Sequence, residues 1–268
     1  MAGRKIVMYL RPDYKHDLYK STAGFYSQYR IPYLKSLTDS LINYANIKDN
    51  DKLLDLACGP GRLTIPLAKY FREVFAIDLE EEMILEGKKI AADQKIDNIK
   101  WKTGKAEDFI FSPETFKLIT IGDAFHRLDQ LTVLEKSYRI LKKGGCFAII
   151  GCDSITNGNH IWQKELSRIL SEWYKPDNGQ INYPEQFIGA LKEFGFKDVH
   201  SCSFEEKMEL TIDEIIGFLR SMSIFSENAI GKDNEEFNRL IRTHLLKIKP
   251  HNKFEYDFSC GYHIGMKE

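Results

Sequence analysis

The segment Leu53-Leu54-Asp55-Leu56-Ala57-Cys58-Gly59-Pro60-Gly61-Arg62-Leu63-Thr64 reads as an apolar strand running into a glycine turn and then a helix. Glycines at 59 and 61 let backbone approach a flat ligand closely, because a Cβ at either position would occupy the ligand's space. A dinucleotide fingerprint needs a third glycine where Thr64 stands, and a P-loop needs a Gly-Lys-Ser/Thr that does not follow. The turn therefore suits neither NAD nor a nucleoside triphosphate. Asp78 ends the next apolar run, 17 residues past Gly61, where a carboxylate can accept hydrogen bonds from both hydroxyls of a ribose. An adenosine without a pyrophosphate fits this pair of features best. The competing role for Asp78 is helix capping ahead of Glu80-Glu81-Glu82.

These residues need a scaffold, and the pattern from residue 50 onward supplies one. Strand-length apolar runs at Lys52–Ala57, Glu73–Asp78, Ile99–Thr103, Leu118–Gly122 and Gly145–Cys152 alternate with helical stretches at Arg62–Phe71, Glu81–Gln94 and Leu131–Leu141. Such alternation is the signature of a parallel α/β sheet. Lys142-Lys143-Gly144-Gly145 reads as the stop of the third helix, with positive charge and then glycine. After the polar loop 153–159 the pattern changes. Trp162, Leu166, Ile169, Leu170 and Trp173 recur at helical spacing, Pro184–Phe194 reads as a helix and Asp198–Met208 as a strand. Helices at Ile212–Met222 and Glu235–Ile248 follow, then a closing strand at Phe254–Met266. The stretch between the last two strands is too long for a hairpin loop and reads as a helical insertion.

With 268 residues, 43% hydrophobic and 29% charged, the chain can bury a large core without staples. Lys+Arg 38 against Asp+Glu 39 leaves a net charge of -1, which provides no global field toward nucleic acid or an anionic membrane. No apolar run approaches the ~18 residues of a membrane span. The five cysteines, 58, 146, 152, 202 and 260, form no CxxC pair and no zinc spacing, and read as buried thiols. A cytoplasmic protein that meets neither nucleic acid nor membrane is expected.

The glycine-turn segment resembles motif I of the class I S-adenosylmethionine-dependent methyltransferases, and the likeness extends along the chain. Phe75-Ala76-Ile77-Asp78 followed by Met83-Ile84 resembles the ribose-binding strand end, and Gly104-Lys105-Ala106-Glu107-Asp108 the adenine-binding loop. Gly122-Asp123-Ala124-Phe125-His126-Arg127-Leu128-Asp129 is similar to the fourth-strand motif. Tyr26-Ser27-Gln28-Tyr29-Arg30-Ile31-Pro32-Tyr33 resembles a YxxYRPPYP motif, Leu219-Arg220-Ser221-Met222-Ser223 an LRSWS-type helix end, and Gly261–Lys267 the final strand of the branch that includes trans-aconitate methyltransferase-like proteins. Departures fall where an acceptor would sit: Arg127 and Met222 replace tryptophans, and Ile31 and Leu34 replace prolines.

The resemblance implies a Rossmann-like, doubly wound, mostly parallel seven-stranded sheet with an antiparallel C-terminal strand and a helical lid. It implies an N-terminal arm over the site at 1–35, a cofactor-binding core at 36–152, and the remaining strands with a helical cap at 153–268. Cofactor contacts are expected at Asp55, Ala57, Gly59, Gly61, Asp78, Leu79, Met83, Ala106, Glu107 and Asp123, with Tyr29 and Arg30 at the methionine carboxylate. Arg30 could equally be a surface ion-pair partner. His126 and Tyr29 are the expected catalytic residues, His126 as a general base or as a supporting hydrogen-bonded histidine. The other histidines suggest no metal site. Tyr14, Tyr19 and Tyr26 read as an arm over the cofactor or as ordinary packing. Trp162, Tyr174, Phe218 and Phe225 read as a water-excluding lid or as core.

The implied reaction is SN2 transfer of a methyl group to an oxygen, nitrogen or carboxylate of a small metabolite. Two alternatives share the pocket: a cyclase or lyase that releases methylthioadenosine, and a protein that binds the nucleoside without turnover. A monomer or homodimer is expected.

Overall fold

The structure, a computed structural model, describes residues 19–174 and 183–268. Tyr14 and His16 lie outside the described residues, as does part of the loop ahead of the helix expected at Pro184. The N-terminal helices are α1 (Ala23–Tyr29) and α2 (Lys35–Ala45). The alternating region holds β1 (Lys52–Leu56), α3 (Thr64–Ala68), β2 (Glu73–Asp78), α4 (Glu81–Asp93), β3 (Ile99–Thr103), β4 (Phe116–Gly122), α5 (Gln130–Ile140) and β5 (Leu141–Cys152). The remainder comprises α6 (Ile161–Trp173), α7 (Tyr183–Phe194), β6 (Lys197–Leu210), α8 (Ile212–Arg220), α9 (Glu227–Ile230), α10 (Asn234–Ile248) and β7 (Phe254–Met266).

One seven-stranded sheet has the order β3-β2-β1-β4-β5-β7-β6. Strands β1 to β5 pair in parallel, and β7 inserts antiparallel to both β5 and β6. The expected antiparallel C-terminal strand is thus present, and α8 to α10 form the insertion that precedes it. Strand β5 shows why the sheet has two cores. Its side chains alternate, so Cys146, Ala148 and Ile150 join a cluster with Leu41, Trp162 and Leu166, while Phe147 and Ile149 join Phe125, Phe187 and Leu191 on the other face. Because helices cover both faces, β1 and β4 are near-continuous apolar runs. The edge strand β6 carries Glu205, Glu206 and Lys207 in its exposed middle, which discourages pairing with another chain. Among the described residues no helix is long and apolar enough to cross a membrane.

Several boundaries differ from expectation, two of them for a visible physical reason. The helix after the glycine turn runs only over Thr64–Ala68, because Gly59 and Gly61 hold left-handed backbone and the chain turns through residues 60–63 first. The helix α5 stops at Ile140 rather than at the Lys-Lys-Gly-Gly run. Leu141 is fully buried and already extended, pairing with Phe116. The following residues form an irregularity before Leu118 pairs with Cys146, and Gly144 takes a φ of +68° there.

The sheet order reverses between β1 and β4. Loops leaving neighbouring strands diverge at such a point, and a crevice opens at the strands' carboxyl ends. The glycine turn follows β1, Asp78 ends β2 and Asp123 follows β4, so the topology gathers them around that crevice.

Candidate active site

The turn after β1 carries left-handed backbone at Ala57, Gly59 and Gly61, with φ of +52°, +55° and +90°. Asp78 pins it. The Gly59 N–H donates to Asp78 Oδ2 at 2.7 Å, and the Glu80 N–H donates to Oδ1 at 2.9 Å. Burial pushes the Asp78 carboxyl up from its ordinary range. The N-cap of α4 is Glu80, so the carboxylate supports the helix entrance through one N–H and keeps acceptor capacity on both oxygens. Gly61 serves a different end. A Cβ there would strike Trp101 and Ile65, so its missing side chain permits packing of the turn.

A cavity of about 430 Å³ opens over these residues. Of the residues expected at the cofactor, Ala57, Gly59, Asp78, Leu79, Met83, Ala106, Glu107 and Asp123 line it, and Tyr19 and Tyr26 close it from the N-terminal side. Glu107 is fixed at the rim, where its Oε1 accepts the Asp129 N–H at 2.9 Å.

A second cavity of about 180 Å³ shares Tyr19, Tyr26, Asp123 and Arg127 with the first. Between them lies a half-buried ion pair: Arg62 meets Asp123 Oδ2 at 3.1 Å, and the side chains are 12% and 22% exposed. Asp123 has a φ of +54° and also accepts the Tyr33 O–H at 2.8 Å and the Cys152 N–H at 2.9 Å. The Arg62 guanidinium lies 4.3 Å from the Tyr33 ring centroid and donates to the Ile31 carbonyl. Burial, reinforced by Asp123, pushes the Tyr33 phenol well above its usual range.

The remaining expected residues are dispersed. Arg30 lines the second cavity, donating to Ser221 Oγ at 2.7 Å between the Tyr26 and Phe218 rings. His126 also lines it, and the Arg127 Nε–H donates to His126 Nε2 at 3.2 Å. Tyr29 lines neither cavity: its ring stacks on Phe25 and covers Gly217 of α8. Asp55 lies beneath the turn, 1% exposed, accepting hydroxyls from Thr64 at 2.5 Å and Thr120 at 2.8 Å. Burial raises its carboxyl to about 6. Of the four aromatics read as a lid or core, Phe218 lines the second of these cavities and the other three line neither. Trp162 is buried with its indole N–H on the Glu255 carbonyl, Phe225 packs on Phe237, and Tyr174 is exposed beside Phe225. Sequence reasoning gave Tyr33 and Cys152 no contact with Asp123 and did not pair Arg62 with Asp123. Nothing local marks them, since the ion pair joins residues 61 apart.

The larger cavity fits S-adenosylmethionine. Gly59 leaves space under the Tyr26 ring, 3.8 Å from where a Cβ would stand, and the Asp78 carboxylate borders the same space with spare acceptor capacity. A crevice of this kind at the switch point of a sheet ordered 3-2-1-4-5-7-6 defines a class I S-adenosylmethionine-dependent methyltransferase. The chain belongs to the methyltransferase-domain family, whose model matches residues 47–189. It is similar to an uncharacterized methyltransferase of Schizosaccharomyces pombe, 24% identical over 229 residues, covering 84% of this chain and 87% of the relative. It is 30% identical over 203 residues to a demethylmenaquinone methyltransferase of Staphylococcus saprophyticus, covering 73% and 83% of the two chains. In fold it is similar to a protein of Anaeromyxobacter dehalogenans assigned as a type II methyltransferase, with a TM-score of 0.65 at 18% identity over 89% and 97% of the chains. The cofactor is S-adenosylmethionine, and the chain is a methyltransferase.

Proposed function

We propose that the enzyme transfers the methyl group to an oxygen, nitrogen or carboxylate of a small metabolite held in the second cavity. The observation that carries this reading is the pair of adjoining cavities that share four walls, one bordered by the glycine turn and Asp78, the other by His126. In this reading Asp78 holds the ribose hydroxyls, while Leu79, Met83 and Ala106 pack against the nucleoside and Glu107 borders it. The Gly59 turn, with Ala57 and Asp123, faces the methionine end, and Arg30 is the cation available to its carboxylate. Asp55 acts from below by holding Thr64 at the start of α3. Tyr29 is read as a support for α1 and has no contact with either cavity.

When bound, S-adenosylmethionine supplies a methyl group on a sulfonium that a nucleophile can attack from the side opposite sulfur. The chain's part is chiefly alignment and exclusion of water. Holding two reactants in line can lower a barrier by ~7–11 kcal/mol, whereas a positioned general base contributes ~10²–10⁴-fold. Tyr19 and Tyr26 close both cavities, and Phe218 dries the second. His126 Nε2 accepts a hydrogen bond from Arg127, so the imidazole is oriented, and a role as base requires that bond to give way. A cytoplasmic location is proposed on the composition and on cysteines that remain free thiols among the described residues.

Incubation with methyl-labelled S-adenosylmethionine and a metabolite extract tests the reading. Label should pass to a small molecule with formation of S-adenosylhomocysteine, and Asp78→Ala should abolish the transfer. Transfer undiminished in Asp78→Ala would overturn the site, and methylthioadenosine formed without an acceptor would overturn the reaction.

A further inference from the structure

The charges around the second cavity do not cancel. Its lining carries three guanidiniums, Arg30, Arg62 and Arg127, against two carboxylates, Asp123 and Asp153. Arg62 is matched by Asp123, Arg30 is held by the Ser221 hydroxyl, and Asp153 is exposed, where water screens it. Arg127 stands where both cavities meet. Its Nε bonds to His126 and its guanidinium lies 5.1 Å from the Tyr19 ring, but among the described residues no carboxylate pairs with it and neither terminal nitrogen has a protein acceptor. The lining also brings apolar side chains, Ile31, Phe218, Met222 and Phe258, together with the small Cys152 and Ser154. A half-buried guanidinium fork with two open donors, in a chamber that also presents these apolar side chains, matches a carboxylate or phosphate on a hydrocarbon body.

We propose that Arg127 selects a methyl acceptor that carries an oxyanion on an otherwise apolar body. This rests on the second cavity being the acceptor site. The fork supplies paired hydrogen bonds to the anion, the Phe218–Met222–Phe258 wall takes the hydrocarbon, and the Tyr19 ring and His126 hold the guanidinium in place. An uncharged acceptor of the same shape would displace water from the two terminal nitrogens without offering them an anion, which disfavours it.

Octanoate, octyl phosphate and octanol are titrated calorimetrically into the full chain, both free and saturated with S-adenosylhomocysteine. The readout is the ratio of dissociation constants, octanol over anion, which cancels general damage to the cavity. The wild type should favour one anion by about tenfold or more, the fold-change of a charge-assisted hydrogen bond, and the preferred anion tells carboxylate from phosphate. Arg127→Gln should bring the ratio close to one, while Arg127→Lys should retain part of it. A wild-type ratio near one, or a ratio that Arg127→Gln leaves unchanged, overturns the proposal. Failure of S-adenosylhomocysteine to bind would instead overturn the cofactor reading, and the ratio in the free chain would still report on Arg127.

Discussion

Asp55 and Asp123 are carboxylates near the same crevice with opposite surroundings, and each yields a distinct test. Asp55 meets the hydroxyls of Thr64 and Thr120 and the Thr64 backbone but no cation, so burial raises its carboxyl to about 6. A folded-state value above the unfolded one means that its stabilising contribution is complete below about pH 4 and is lost as pH rises through about 6. The effect amounts to about 3 kcal/mol at most. Asp55→Asn should therefore gain stability relative to wild type between pH 4 and 7, measured by denaturant unfolding across that range. A parallel pair of curves would refute it. Asp123 has the opposite environment, with a guanidinium, a phenol and an N–H all donating to it. Removing Arg62 strands that charge, and breaking a buried pair from one side costs about 3–5 kcal/mol. Arg62→Met should lose stability on that scale, less whatever solvent recovers at the partly exposed Asp123 side chain, whereas Asp123→Asn should lose less. A negligible loss in Arg62→Met would show that the pairing carries no weight. The difference also explains what could be read from sequence. Gly59 and Asp78 announce themselves by local chemistry, a turn that demands left-handed backbone and an acid at a strand end. The partner of Arg62 lies beyond three further strands in sequence, and no local pattern connects them.

At the scale of elements, the junction of α1 with α8 governs how the N-terminal arm meets the site. Gly217 of α8 lies directly under the Tyr29 ring, and a Cβ there would fall within the ring's van der Waals shell. Tyr26, one turn earlier on α1, lines both cavities. Gly217→Ala should thus cost about 1–3 kcal/mol by overpacking and should weaken cofactor binding by displacing Tyr26. The cost should be smaller in a Tyr29→Ala background, where the clash is gone. Additive losses in the double variant would place the strain elsewhere. Elements whose side chains repeat with one period were readable to the residue: β2, β3 and β7 match their expected bounds. In β7 the reason is plain, since alternate residues from Phe254 to Ile264 are buried. The junction of α5 and β5 was misread because a Lys-Lys-Gly-Gly run carries the same composition whether it ends a helix or bends a strand. Burial of Leu141 decides between them, and burial is a tertiary property.

For the molecule as a whole, the larger cavity takes walls from the arm, the turns after β1 and β2, the loop after β3 and the segment after β4. A ligand that touches all of these binds only the assembled fold, so its binding free energy adds to global stability. At a concentration 100 times its dissociation constant a ligand contributes about 2.7 kcal/mol. In a chain of this size each kcal/mol moves Tm by about 2–4 °C, so saturating S-adenosylhomocysteine should raise Tm by about 5–11 °C. Asp78→Asn keeps an acceptor for the Glu80 N–H but turns a donor toward either the Gly59 N–H or the ribose. If affinity falls about 100-fold, the same ligand concentration equals the new dissociation constant, and the shift from that variant's own ligand-free Tm should shrink to about 1 °C. Differential scanning calorimetry of both proteins with and without the ligand reads this directly. A wild-type Tm that does not move, or an Asp78→Asn shift as large as the wild type's, would mean that the cavity beside the glycine turn is not where the nucleoside binds.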